Sequence, residues 1–197
     1  MPETFKAIYM LNQSGLSLDK VDFTFVKGYD CARARNEICK KAIEGNYDYV
    51  LMVDSDIVLP EDTLQCLFDP KFEEDKTELV LGIYPKKNCA DGKTDIFSFN
   101  TENYGDANRY HISEFRQLAK HGVYRIAVKG GGFGCALIKT SVLKILPAPW
   151  FLYVTYPNGH VLSEDLFFCS RLEDHDYRVS VDTRVRCGHL IRKFQYE

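Results

Sequence analysis

Short apolar runs alternate with amphipathic stretches along this chain, the pattern of a layered α/β domain. Residues 48–53 end in Val50-Leu51-Met52-Val53, apolar without alternation, as in a strand covered on both faces. Residues 78–84, Glu-Leu-Val-Leu-Gly-Ile-Tyr, predict a second such strand. Residues 21–27 alternate apolar and polar and predict another, ended by Gly28. A helix is predicted over 32–44, with Ile38, Ala42 and Ile43 on one side and Gly45-Asn46 as its stop. Pro60-Glu61-Asp62 opens a further helix over 61–68, proline and acids being favoured in a first turn. Residues 3–13 are read as a short helix, although Phe5, Ala7, Tyr9 and Leu11 also alternate as a strand would.

Beyond the strand at 78–84 the periodicity dissolves until about residue 113, with β-like pieces at 96–99 and 110–112. Such a length inside a compact domain reads as a working loop, and 88–113 is expected to order over a bound ligand. Helices are then predicted at 114–120, 141–146 and 164–174, and strands at 123–128, 135–138, 177–181 and 184–187. Pro157-Asn158-Gly159 predicts a hairpin turn. The sum is one α/β domain over 1–197 with a loop-rich insertion at 88–122, its central sheet mostly parallel and flanked by helices.

Composition narrows this little: 45% hydrophobic and 27% charged residues are ordinary for a globular chain. A net charge of −3 gives no reason to expect a polyanion-binding surface, though it leaves room for a local basic cleft. No apolar run approaches the ~20 residues of a membrane span. The start, Met1-Pro2-Glu3-Thr4-Phe5-Lys6, does not read as a signal peptide. Seven cysteines, an odd number without a Cys-x-x-Cys pair, point to reduced thiols and a cytoplasmic protein.

Candidate chemistry begins where strand 48–53 ends. Asp54 and Asp56 lie one residue apart at the carboxyl end of a buried strand, where open α/β sheets place ligands. Hard oxygen ligands there suit Mg²⁺ or Mn²⁺ bridging a diphosphate, although an isolated Asp-x-Asp is more often a solvated turn. Glu164 and Asp165 start a helix behind Ser163, a candidate N-cap. Acids there are favoured by the helix dipole in any case, yet one aimed into a cleft is also a candidate general base. His189 follows a strand and Gly188, and reads either as a core histidine or as a nitrogen ligand to the same cation. Gly131 and Gly132, in the run Gly130–Gly134, would let a backbone approach a ligand closely. The run lacks the Lys-Ser/Thr of a P-loop and the spacing of a dinucleotide fingerprint. Arg35 and Asn36 open the helix after 21–27, and Lys86 and Lys87 follow strand 78–84. All four are expected to border the same cleft, Arg35 holding a phosphate or carboxylate.

The order of these pieces is more specific than any one of them: Ala34-Arg35-Asn36, Asp54-Ser55-Asp56, Leu81-Gly82-Ile83-Tyr84, Gly131-Gly132-Phe133-Gly134-Cys135, Ser163-Glu164-Asp165-Leu166, and Asp182 followed by Gly188-His189-Leu190. Over residues 28–190 the chain resembles the family 2 glycosyltransferases and their relatives with the A-type fold, in particular small bacterial and phage-borne members. The resemblance implies a nucleotide-sugar donor (a UDP- or GDP-sugar), Mn²⁺ or Mg²⁺, and sugar transfer to the hydroxyl of an acceptor, with inversion. A nucleic-acid acceptor is among those it allows. Asp54, Asp56 and His189 match the family's metal ligands, and Asp165, with Glu164 beside it, its base. The chain departs from the pattern at its start. The family's first nucleotide-binding strand, ending in Pro-Thr, is not evident. Two rivals remain open: a catalytically degenerate sugar- or nucleotide-binding module, and a nucleotidyltransferase, whose glycine- and arginine-rich first loop has no counterpart here.

Overall fold

The computed structural model describes residues 2–11, 16–72, 76–87, 91–99 and 109–190. Its first half runs α1 (Pro2–Leu11), α2 (Cys31–Glu44), β1 (Tyr49–Val53), β2 (Ile57–Val58), α3 (Thr63–Leu67), β3 (Thr77–Ile83), β4 (Lys93–Phe97) and β5 (Arg109–His111). The second half runs α4 (Ile112–Lys120), β6 (Arg125–Val128), β7 (Gly130–Gly131), β8 (Cys135–Lys139), α5 (Thr140–Ile145), β9 (Val154–Thr155), β10 (Val161–Leu162), α6 (Glu164–Asp174), β11 (Arg178–Arg186) and β12 (Gly188–His189). No described helix is long and apolar enough to cross a membrane.

The central sheet has the order β1-β8-β3-β11-β6 and is mixed. Only β3 and β11 are parallel neighbours; β8 runs antiparallel to both β1 and β3, and β6 antiparallel to β11. The expectation of a mostly parallel sheet is therefore corrected. Helix–strand alternation predicts strands but not their direction, and β8 enters between β1 and β3 from the glycine run rather than from a crossover helix. Since β1 and β3 both oppose β8, they share a direction with β11. Their carboxyl ends, and the start of β8, lie along one edge of the sheet.

Alternation across the sheet sends side chains into two apolar layers. Leu79, Leu81 and Ile83 of β3 and Ala136 and Ile138 of β8 pack with α2, α4, α5 and α6, through residues such as Cys39, Phe115, Val142, Phe168 and Leu172. Val80, Tyr84, Cys135 and Leu137 face the other way and pack with Leu11 of α1 and Leu64 and Leu67 of α3.

Several local expectations change. The helix expected over 3–13 is α1, Pro2–Leu11, with 12 and 13 outside the described residues, but no strand forms at 21–27, and among the described residues none precedes β1. Phe23 and Phe25 stay exposed there, with Phe25 stacked on Phe5. The two strands at 177–181 and 184–187 are the single β11, whose register against β3 shifts between Val181 and Arg186. At that irregularity Asp182, fully buried, pairs with Arg125 and Arg184, which also bind the Cys66 carbonyl at the end of α3. Asp182 is thereby a structural acid. Within the insertion, β4 pairs with both β5 and the glycines of β7, so part of the expected loop is a small sheet beside the site. Residues 88–90 and 100–108 of the expected lid lie outside the described residues.

Candidate functional site

Backbone pairing explains how distant residues meet at the open edge. β12 pairs antiparallel with β2, setting His189 opposite Ile57, and Leu190 N–H donates to the Asp56 carbonyl at 2.8 Å. The Asp54-Ser55-Asp56 turn is held from two more sides. Asp54 N–H donates to Gly134 O at 3.1 Å, and the buried Thr4 hydroxyl of α1 donates to Ser55 O at 3.0 Å.

His189 Nδ1 lies 2.8 Å from Pro85 O. A carbonyl only accepts, so Nδ1 carries the hydrogen and Nε2 is the nitrogen turned to Asp56. That nitrogen is 3.6 Å from Asp56 Oδ2, and Lys87 Nζ is 2.7 Å from the same oxygen. Desolvation raises the Asp56 carboxyl, but the Lys87 hydrogen bond and the His189 and Lys87 charges outweigh it, and the group falls below its ordinary value. A depressed carboxyl contributes stability above its unfolded value of about 4 and loses it as pH falls through the lower folded value. Unfolding midpoints of wild type and Asp56→Asn, measured against pH, should therefore converge at the acid end, and a constant difference at all pH values would contradict this pairing.

Arg35 changes role. The buried positions of α2 are Ala32, Arg35, Cys39 and Ala42, so this arginine lies in the apolar stripe, with its side chain 7% exposed. Nη1 donates to Glu164 Oε1 at 2.5 Å and pairs with Asp165, while Nη2 reaches Asp54 at 3.3 Å. Burial opposes its charge, yet Asp54 and Glu164 outweigh that and raise its pKa. Of the phosphate or carboxylate expected for it, the guanidinium meets carboxylates, but they are the protein's own, and it is a clamp rather than a ligand contact. Desolvation first, then Asp56 and Glu164, lift the Asp54 carboxyl above its ordinary value although Arg35 pulls it down.

Glu164 is buried on the same face of α6 as Phe168 and Leu172, one and two turns on. Ser163 occupies the N-cap position without a side-chain cap hydrogen bond. Asp165 accepts from Phe133 N–H at 3.3 Å, and Phe133 is itself fixed edge-on against Phe151 and Phe168. Asn36 is a structural clip: its amide donates to Ala32 O and Phe151 O and accepts from Trp150 N–H and Phe151 N–H. All its hydrogen-bonding capacity is used, so the expectation of ligand contact is corrected.

The glycines of 131–134 answer to packing. A Cβ at Gly131 would meet Ile96 and Leu81 within 2.8 Å, and the Gly132 amide donates to Asp95 O at 2.9 Å. Tyr84 is the post beneath them, and sequence reasoning missed it. Its hydroxyl accepts from Gly134 N–H at 3.0 Å, and its ring lies edge-on to His189. A Cβ at Gly134 would come within 2.8 Å of that ring. Gly134→Ala should cost about 1–3 kcal/mol in denaturant unfolding as an overpacking change; a neutral result would contradict the tight contact.

Tyr153, half exposed at the rim, was also missed. Desolvation, then the nearby Glu164 charge, push its phenol up. Asp95, paired with Arg109 across β4 and β5, borders Gly132 from the other side. Lys86 is half-buried, its amide bonded to Lys93 O at 2.8 Å. No group of three or more His, Cys, Asp or Glu side chains among the described residues is arranged to hold a metal ion. The contacts give the reason: Asp54 is turned to Arg35, which leaves Asp56 and His189 as a facing pair.

No family model matches the chain, and no curated protein matches it in sequence. Among solved structures it is similar to the crystal structure of A197 from STIV, with a TM-score of 0.58 and 22% identity, over 84% of this chain and 70% of that one. At that identity the likeness concerns the fold alone.

Proposed function

We propose that this cleft is the donor site of a metal-dependent glycosyltransferase, taking a sugar from a nucleotide diphosphate to an acceptor hydroxyl with inversion. The observation that carries the reading is the Asp56–His189 pair. The His189 Nε2 edge and the Asp56 carboxylate face the same space 3.6 Å apart, a nitrogen and a hard oxygen side by side, and the Pro85 carbonyl fixes the ring in that orientation. Mg²⁺ and Mn²⁺ are commonly held by one or two protein groups, with substrate phosphates and water completing the shell. Asp56 and His189 fit as that pair, with Asp54 alongside. When bound, such a cation supplies electrostatic stabilisation to the departing diphosphate.

The chain's own residues would do the rest. Arg35 and the Phe133 amide hold Asp165 in one orientation, as a proton acceptor for the attacking hydroxyl requires. Tyr84 and Gly134 fix the Asp54 turn against the glycine run. A screen of UDP- and GDP-sugars should find one from which Mn²⁺ triggers release of the nucleoside diphosphate, and EDTA should abolish that release. A second reading, a sugar- or nucleotide-binding module without turnover, is favoured by the lack of a strand before β1 among the described residues. Tight nucleotide-sugar binding with no release for any acceptor would select it.

A further inference from the structure

We propose that Lys87 is the internal counter-cation of this site: its ammonium holds Asp56 in the cation-free protein, yields that carboxylate to the divalent cation, and then faces the substrate diphosphate. The inference rests on the reading of the cleft as a cation-dependent nucleotide-sugar site. Lys87 Nζ and His189 Nε2 address the same oxygen, Asp56 Oδ2, at 2.7 and 3.6 Å. The ammonium therefore holds the same carboxylate oxygen that a divalent ion shared by Asp56 and His189 would take. Like charges repel, so the two cations cannot share that oxygen closely.

The backbone leading to Lys87 is anchored, while its side chain is half exposed. Pro85 O is held by His189, and Lys86 N–H by Lys93 O. The Lys87 side chain is 48% exposed on a four-carbon stem, whereas Asp56 is 21% exposed. Around the cleft the carboxylates of Asp54, Asp56, Glu164 and Asp165 face the cations of Arg35 and Lys87. Arg35 is locked in the interior, so Lys87 is the partner that can leave. An ammonium displaced by a few ångströms stays beside the cation, where a diphosphate bridging to that cation would meet it.

The test is a paired titration of wild type, Lys87→Gln and Lys87→Arg. Mn²⁺ alone, followed by electron paramagnetic resonance, should bind Lys87→Gln on the order of tenfold more tightly than wild type, because the competing ammonium is gone. UDP and GDP titrated with saturating Mn²⁺ should show the opposite sign, on the order of tenfold weaker binding of the preferred nucleotide to Lys87→Gln. Lys87→Arg should stay near wild type in both. Mn²⁺ affinity in Lys87→Gln equal to or below that of wild type overturns the displacement, and unchanged nucleotide affinity overturns the second contact. If neither wild type nor Lys87→Gln binds Mn²⁺, the cation reading of the cleft itself fails, and the inference with it.

Discussion

Arg35→Met should destabilise the protein by about 3–5 kcal/mol, the cost of stranding buried charge when one partner of an interior ion pair is removed. Glu164 and Asp165, with side chains 6% and 16% exposed, would be left facing each other and Asp54 without a counter-ion. Arg35→Lys should recover only part of the loss, since one ammonium cannot fork to Glu164 and Asp54 at once. The change reads out as a lower urea midpoint with an unchanged slope. A loss below about 1 kcal/mol, the range of exposed pairs, would mean that solvent reaches this cluster.

Asp165→Asn is expected to lower turnover by roughly 10²-fold or more while leaving Mn²⁺ binding intact, because the substitution keeps shape and removes the proton acceptor. The same variant keeps an oxygen to accept from Phe133 N–H but weakens the Arg35 pair, so its unfolding must be measured alongside. Rate loss far beyond any stability loss marks a base. Turnover that falls only in step with folded fraction would make Asp165 part of the clamp, with the base to be sought at Glu164.

Much of the fold was legible because the strands at 77–83 and 135–139 are apolar on both faces and buried in the sheet, whereas the one at 49–53, expected to be buried and central, is a half-buried edge strand with only Met52 fully covered. Direction was not legible. Nothing in the composition of β8 says that it enters between β1 and β3 from the opposite end. The strand expected at 21–27 failed because period-2 alternation describes a side-chain pattern, and pairing needs a neighbour that this segment does not find. Within the site, Asp54, Glu164 and Asp165 meet around Arg35, and Lys87 and His189 meet Asp56, all from places after strands or before a helix. Arg35 was misread because a helix-opening arginine near a cleft resembles a phosphate ligand. Its spacing from Ala32, Cys39 and Ala42 on the buried face was the available sign that it needed internal acids instead. Tyr84 and Tyr153 had no local signature, since each acts through contacts with residues far away in sequence.

Isothermal titration of Mn²⁺ into wild type, Asp56→Asn and His189→Ala tests most directly whether this edge of the sheet is a cation site. Wild type should bind Mn²⁺, and each variant should lose affinity by on the order of tenfold or more, with nucleotide-sugar binding falling in parallel. Equal Mn²⁺ affinity in all three proteins, or nucleotide-sugar binding indifferent to Mn²⁺, would contradict it.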